Sequence, residues 1–389
     1  MRMLLCPIDT PGFSYPTVAV GKAVADAGHH VLQLCPLRGV RGAGLHVVDP
    51  SSGPFAIEQW FEEKPVNQQY ALTLAAIDQY QPDVILTSML AMGPLLAAQA
   101  SRVPAAVMGL MSYVWPADEH LATSPPAGYG ANRALRHREC QALLAQAARW
   151  VGNDTLNSSP GRDPLLGEAF LLRTSRHLEP FAERLPSHVH AIGPARWEPQ
   201  EPRSSAETLR MLQWLDEAPL DVPVLYAQLG RVFRKGDVWA PLLDIASNCD
   251  VRIVVDISRS DSHQPPLPDN MRAACLTTSD ALIRRATTVL TTGGSSATLS
   301  ALVHGRPLIL VPTGGEQRVT AEVCRRWQVA VEWPERPSQL FTELQDPNHP
   351  LRVNARGIAG ILNARAGMAD PVVILDGLSK SQAAHLTTA

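Results

Sequence analysis

Short unbroken apolar runs alternate along this chain with longer stretches whose apolar residues recur at helical spacing. Met3–Pro7 is the first such run, and it ends in Asp9-Thr10-Pro11-Gly12, a loop signature. Val18–Ala27 reads as a helix stopped by Gly28, and His30–Leu34 returns to a strand. That is one strand–loop–helix–strand unit, which implies a parallel sheet. The alternation continues with a helix near Asn67–Gln79, a strand at Val84–Thr87, a helix from about Met92 to Ser101 and a strand at Val103–Met108. Strands this uniformly apolar are expected where both faces of a sheet are covered.

The same grammar starts again at Val222–Leu229, an uninterrupted apolar strand followed by Gly230. Helix Val238–Ala246, strand Val251–Asp256, helix Asp280–Arg285, strand Thr288–Leu290, helix Ala297–Val303 and strand Leu308–Val311 follow in order. Between the two series lies Glu198-Pro-Gln-Glu-Pro-Arg-Ser-Ser205, whose proline, serine and charge mark a linker. Two Rossmann-like, doubly wound domains facing a cleft are the economical solution. The expected boundaries are residues 1–200, residues 206–369, and a terminal segment 370–389 that crosses back to the first domain. In open parallel sheets ligands sit beyond the carboxyl ends of the strands, so the cleft is the expected site.

Composition narrows the partners. The chain has 389 residues, 45% of them apolar and 18% charged, with a formal net charge of −3. Such a balance excludes a disordered chain and offers no broad field for nucleic acid or an acidic membrane. The six cysteines (Cys6, Cys35, Cys140, Cys249, Cys275, Cys324) show no zinc spacing and read as buried small hydrophobes. No run approaches the roughly 18–20 apolar residues of a membrane span. The start, Met1 to Leu5, leads straight into a strand without the regions of a signal peptide, so a cytoplasmic location is expected.

The most specific segment is Thr291-Thr292-Gly293-Gly294-Ser295-Ser296-Ala297-Thr298-Leu299-Ser300-Ala301-Leu302. It continues through Gly305-Arg306-Pro307 to Val311-Pro312-Thr313-Gly314-Gly315-Glu316-Gln317. A helix N-terminus offers backbone N–H groups and the positive end of a dipole, and small residues let a diphosphate approach them. Hydroxyls from serine or threonine add donors. An ordinary strand-to-helix turn also favours glycine and serine, so the turn alone is ambiguous. The whole segment resembles the donor-binding signature of the family 1, GT-B glycosyltransferases, especially the bacterial branch that decorates macrolide, enediyne and polyketide-type natural products. Met1 to Leu34 looks like that family's first unit, and Ile192-Gly193-Pro194 looks like the end of its N-terminal domain. Trp214-Leu215-Asp216 followed by the strand at Val222 looks like the opening of its C-terminal domain.

The resemblance implies a donor side made of Arg231, Thr277, Thr292, Gly293, Gly294, Ser295, Ser296, Thr298, Glu316 and Gln317, the last two hydrogen-bonding the sugar. It implies an acceptor side along Phe13, Tyr15 and Trp115. Several positions depart from the family. Its general-base histidine falls on Phe13, in Gly12-Phe13-Ser14-Tyr15-Pro16, and phenylalanine cannot take a proton. Its diphosphate histidine falls on Thr292. Ser300 replaces a glutamate that binds ribose hydroxyls in many UDP-sugar enzymes, and a smaller residue suits thymidine diphosphate, which lacks the 2′-hydroxyl. Arg231 stands where serine or threonine is common; it either supplies phosphate charge or is a surface arginine.

The replacement bases weighed are Asp9, Asp118, Glu119 and His120, with Asp9 and Asp118 favoured. His137 falls on a helix and reads as structural or solvent-facing. The expected function is inverting transfer of a deoxygenated sugar from a thymidine diphosphate donor to a small natural-product acceptor. The donor is a co-substrate, no separate cofactor or metal is required, and a homodimer is allowed. The alternative is a catalytically impaired homologue that acts as an accessory or binding protein.

Overall fold

The computed structural model describes residues 1–8, 10–34, 45–48, 61–116, 129–153, 163–199, 202–219, 221–228, 238–258, 264–276, 278–314, 316–333 and 335–388. The chain divides into two units, Met1–Trp197 with Gly367–Ala389, and Glu198–Ala366.

In the first unit the alternation becomes β1 (Arg2–Cys6), α1 (Pro11–Asp26), β2 (His30–Leu34), β3 (His46–Val48), α2 (Glu63–Tyr80), β4 (Val84–Ser88), α3 (Met92–Ser101), β5 (Ala105–Met108), α4 (Tyr129–Trp150), β6 (Ala169–Leu172) and β7 (Val189–Ala191). Among the described residues these strands make one seven-stranded sheet in the order β3-β2-β1-β4-β5-β6-β7. Every pairing is parallel. The chain therefore winds outward in one direction from β1, then in the other from β4, and the strand order reverses between those two. At that point Ile8 N donates to Ser88 Oγ at 2.8 Å and Thr87 Oγ1 donates to Cys6 O at 2.8 Å, which ties the two strand ends together.

One sequence reading is corrected here. Pro11-Gly12 is not loop but the first turn of α1, entered from Thr10 in extended conformation, with proline at the first helical positions. Proline serves there because its missing N–H would have no helical partner and its φ is already helical. Phe13 and Tyr15 consequently ride on the helix.

The second unit contains α5 (Pro202–Asp216), β8 (Val224–Gln228), α6 (Trp239–Asn248), β9 (Arg252–Asp256), β10 (Met271–Ala274), α7 (Asp280–Arg285), β11 (Thr288–Thr291), α8 (Ser295–Val303), β12 (Leu308–Leu310), α9 (Gln317–Arg326), β13 (Ala330–Glu332), α10 (Pro337–Glu343) and α11 (Pro350–Asn363). Its parallel sheet runs β10-β9-β8-β11-β12-β13, with the order reversing between β8 and β11. Leu225, Ala227, Ile253, Val255, Leu290 and Ile309 form the centre of a core closed by Leu242 and Ile245 from α6 and Phe341 from α10. The stretch read as a linker is partly structural: α5 begins at Pro202, again a proline at a helix start.

The final helix, α12 (Pro371–Thr388), belongs to the first unit. Leu375 is buried in that unit's core beside Met3, Val18 and Leu86, and Val372, Ile374 and Leu378 pack around it. The chain is led there by Ala369 N donating to Ala191 O at 2.7 Å and Arg176 N donating to Gly367 O at 2.8 Å. Among the cysteines, Cys6 and Cys324 are buried as expected, Cys275 is exposed, and Cys35 lies outside the described residues. No described helix is long and apolar enough to cross a membrane.

Candidate functional site

The reversal of strand order in the second unit falls between β8 and β11, whose ends are aligned by the pairing of Gln228 with Thr291. A crevice opens at such a point because the connections leave the two strands in opposite directions. The turn that leaves β11 is the sequence motif. Thr292 is 7% exposed, Gly293 has φ +87°, and Gly294 is the N-cap of α8. The helix starts at Ser295, two residues earlier than the apolar pattern predicts. Its N-cap glycine contributes no capping side chain, and the positive end of the helix dipole lies at this turn. A Cβ built on Gly294 would meet nothing within 4 Å among the described residues.

Gly293 joins the two halves of the motif. Its positive φ is a conformation that residues with a Cβ rarely adopt. A Cβ there would also sit 3.3 Å from Gln317 O, so the turn lies directly against the first residue of α9. Gln317 in turn reaches back, its Oε1 accepting from Thr313 N at 3.0 Å and Thr313 Oγ1 at 2.8 Å. That leaves its amide as a donor rather than the acceptor that the sugar-binding role suggested. Glu316 stands beside it as the N-cap of α9. The structure thus brings Thr292, Gly293, Gly294, Ser295, Ser296, Glu316 and Gln317 into one neighbourhood.

Thr298 is wholly buried, and its Oγ1 has no hydrogen-bond partner among the described residues. It lies on the buried side of α8 with Leu299 and Leu302. Ser300 is also committed inward, donating to Asp280 Oδ1 at 3.1 Å, and His304 Nε2 lies 2.8 Å from the same oxygen. Sequence reading passed over the group behind this contact. Glu198 Oε1 accepts from Ser279 N at 2.8 Å, Ser279 Oγ at 3.1 Å and Asp280 N at 3.1 Å. Burial raises the Glu198 carboxyl above its ordinary value despite those bonds. A clamp therefore runs from Glu198 through the start of α7 to α8 and holds the segment flanking the Gly293–Gly294 turn. Arg231 and Thr277 lie outside the described residues.

In the first unit, Phe13 packs, partly buried, against the Ile8–Ala91 cluster, as does Leu90, which adopts φ +72°, an uncommon conformation for leucine. Tyr15 meets Trp197 edge-on, with centroids 5.2 Å apart. Trp115 is 3% exposed and lies 5.4 Å from the ring of His137. His137 is structural in the sense expected: its Nε2 pairs with Asp163 Oδ2, and Asp163 Oδ1 accepts from Leu165 N at 3.0 Å. Burial alone would raise the Asp163 carboxyl, but the bonds from His137 and Leu165 outweigh it and hold it low. Asp9, Asp118, Glu119 and His120 all lie outside the described residues.

Two units of this topology, with a glycine-serine turn at the second reversal point, define the GT-B fold. Solved structures agree over almost the whole chain. The glycosyltransferase SnogD from Streptomyces nogalater matches with a TM-score of 0.67 at 18% identity, covering 97% of this chain and 99% of that one. The glycosyltransferase VinC in complex with DTDP matches with a TM-score of 0.68 at 18% identity, covering 98% and 100%. By sequence, L-demethylnoviosyl transferase of Streptomyces niveus is 25% identical over 98% of both chains. A PGL/p-HBAD biosynthesis glycosyltransferase of Mycobacterium tuberculosis is 28% identical over 36% of this chain and 31% of its own length. No family model matches. The chain has the GT-B fold and is similar along its length to natural-product glycosyltransferases, as its donor motif implied.

Proposed function

We propose that this protein is a glycosyltransferase that moves a sugar from a nucleoside diphosphate, thymidine diphosphate in particular, to a small natural-product acceptor with inversion. The observation that carries this is the glycine-capped start of α8 at the β8/β11 reversal, where a Cβ on Gly294 would meet nothing within 4 Å among the described residues and Gln317 lies against Gly293. In the reaction an acceptor atom bonds to the anomeric carbon as the carbon–oxygen bond to the diphosphate breaks. The acceptor's proton passes to a base, and the departing diphosphate gains charge. Dipoles fixed in advance at the helix start are suited to that charge. Arg231, Thr277 and Thr292 are proposed as further phosphate and nucleotide contacts, and Glu316 with the Gln317 amide as sugar contacts. Acceptor contacts are proposed around Phe13 and Tyr15. Trp115, being buried, acts only through the residues that it supports.

Calorimetry with the two nucleotides tests the donor assignment. Thymidine diphosphate is expected to bind more tightly than uridine diphosphate, and a uridine preference sinks that part. Asp9 and Asp118 are the proposed bases. Changing the true one to asparagine should lower turnover by about a hundred-fold or more while nucleotide binding persists. A second reading is favoured by one observation: Phe13, at the position of the family's base, is locked into an apolar cluster. On that reading the chain is an accessory homologue. It would then show neither transfer nor donor hydrolysis, and would raise the activity of a sister enzyme with which it co-purifies.

A further inference from the structure

The amino-terminal ends of β11 and β12, opposite the donor turn, carry arginines that sugar transfer does not use. Arg285 ends α7, Arg306 stands two residues before β12, and Arg352 and Arg356 lie one turn apart in the first half of α11. Backbone contacts gather them. Arg306 Nη2 donates to Arg284 O, and a Cβ built on Gly305 would lie 3.3 Å from Arg356 Cγ and 3.4 Å from its Cα. Carbonyls hold the last two side chains in place: Arg352 Nη1 donates to Leu344 O and Gln345 O, each at 3.1 Å, and Arg356 Nη2 to Pro347 O at 2.8 Å.

Compensating negative charge is thin among the described residues. Arg285 Nε lies 3.5 Å from Asp216, which is 68% exposed, and Asp346 acts on Arg352. Burial first, then the charges of Arg352 and Arg285, pull the Arg306 guanidinium below its ordinary value. Burial and Arg356 do the same to Arg352. Two guanidinium nitrogens, Arg285 Nη2 and Arg306 Nε, are buried with no acceptor among the described residues. The first turn of α11 carries Arg352 and no acidic residue, the reverse of what a helix N-terminus prefers. Cations crowded and half-buried in this way destabilise the fold unless an anion joins them.

We infer that Arg285, Arg306, Arg352 and Arg356 form an oxyanion site for a phosphate group, distinct from the donor turn. Guanidinium forks match phosphate oxygens in geometry and keep their charge at any working pH. The phosphate is either free inorganic phosphate or the head of a phosphate monoester, and the two are separable by experiment.

The test is calorimetric titration of the full chain with inorganic phosphate and, separately, glycerol 3-phosphate at constant ionic strength. Three proteins are compared: the unaltered chain, the double variant R306Q/R352Q, and Gly294→Asp. The last places a carboxylate in open space at the donor turn and repels phosphate only there. Saturable binding is expected in the unaltered chain and in Gly294→Asp. It should weaken about tenfold or more in the double variant, as expected when charge-assisted hydrogen bonds are lost. Tighter binding of the ester identifies a monoester as the ligand, and equal binding identifies free phosphate. Should the double variant not fold, Arg352→Lys is read instead: it keeps the charge, loses the fork, and should bind several-fold more weakly. The inference is overturned if neither probe binds saturably. It is equally overturned if binding disappears in Gly294→Asp and survives in the arginine variants.

Discussion

Gly293 meets two demands at once. Its φ of +87° suits only glycine, and a Cβ would press on Gln317 O at 3.3 Å. Gly293→Ala should therefore cost about 1–2 kcal/mol of stability through backbone strain. It should weaken thymidine diphosphate more than that loss of stability explains, because it displaces Gln317; parallel urea unfolding and calorimetry separate the two effects. Asp163 offers a pH test. Its carboxyl is held low in the folded chain, so its stabilising contribution is complete above the ordinary carboxylate value of about 3.9 and is lost as pH falls through the lower folded value. Asp163→Asn should cost about 1–3 kcal/mol at pH 7. The gap between variant and parent should hold at pH 5 and narrow only as pH falls below about 3.9, and a gap independent of pH would remove the role of the ionised Asp163 carboxylate.

At the scale of elements, the clamp of Glu198, Ser279, Asp280, Ser300 and His304 holds α7 to α8. Ser300→Ala removes one bond to a carboxylate and should cost about 1–2 kcal/mol, and Asp280→Ala, which orphans both Ser300 and His304, clearly more. Unfolding curves with unchanged slope would report this as lost stability rather than an altered unfolded state. Much of the element order was legible because buried parallel strands are short apolar runs, and β4, α3, β8, α7 and β11 stand within a residue or two of their expected bounds. The starts of α1, α5 and α8 were not. Pro11, Pro202 and the Ser295-Ser296 pair serve equally as loop and as helix-start residues, and only tertiary context decides between them. The clamp was illegible for a different reason: its members are separated by 106 positions in the chain, and no local pattern joins Glu198 to His304. The meeting of the Gly293–Gly294 turn with the Glu316-Gln317 pair was legible because glycine, serine and that pair stand in one continuous segment. The burial of Thr298 was not, since it depends on which side of α8 the core covers.

At the scale of the whole molecule, the chain closes its first unit with its last helix. Leu375 is fully buried there, with Val372, Ile374 and Leu378 around it. Ending the chain at Asp370 should strip several kcal/mol from the first unit, one fully buried leucine alone contributing about 1.5–3 kcal/mol. Calorimetric unfolding should show that loss in the first unit's transition and little change in the second's.

The second unit carries the central claim, that a nucleoside diphosphate is held at the start of α8. A crystal structure with thymidine diphosphate tests it most directly. The account predicts the diphosphate within hydrogen-bonding distance of the backbone between Gly294 and Ala297, beside Thr292, with the Glu316–Gln317 pair facing the position of the sugar. Nucleotide bound elsewhere, or none bound at saturating concentration, would contradict it.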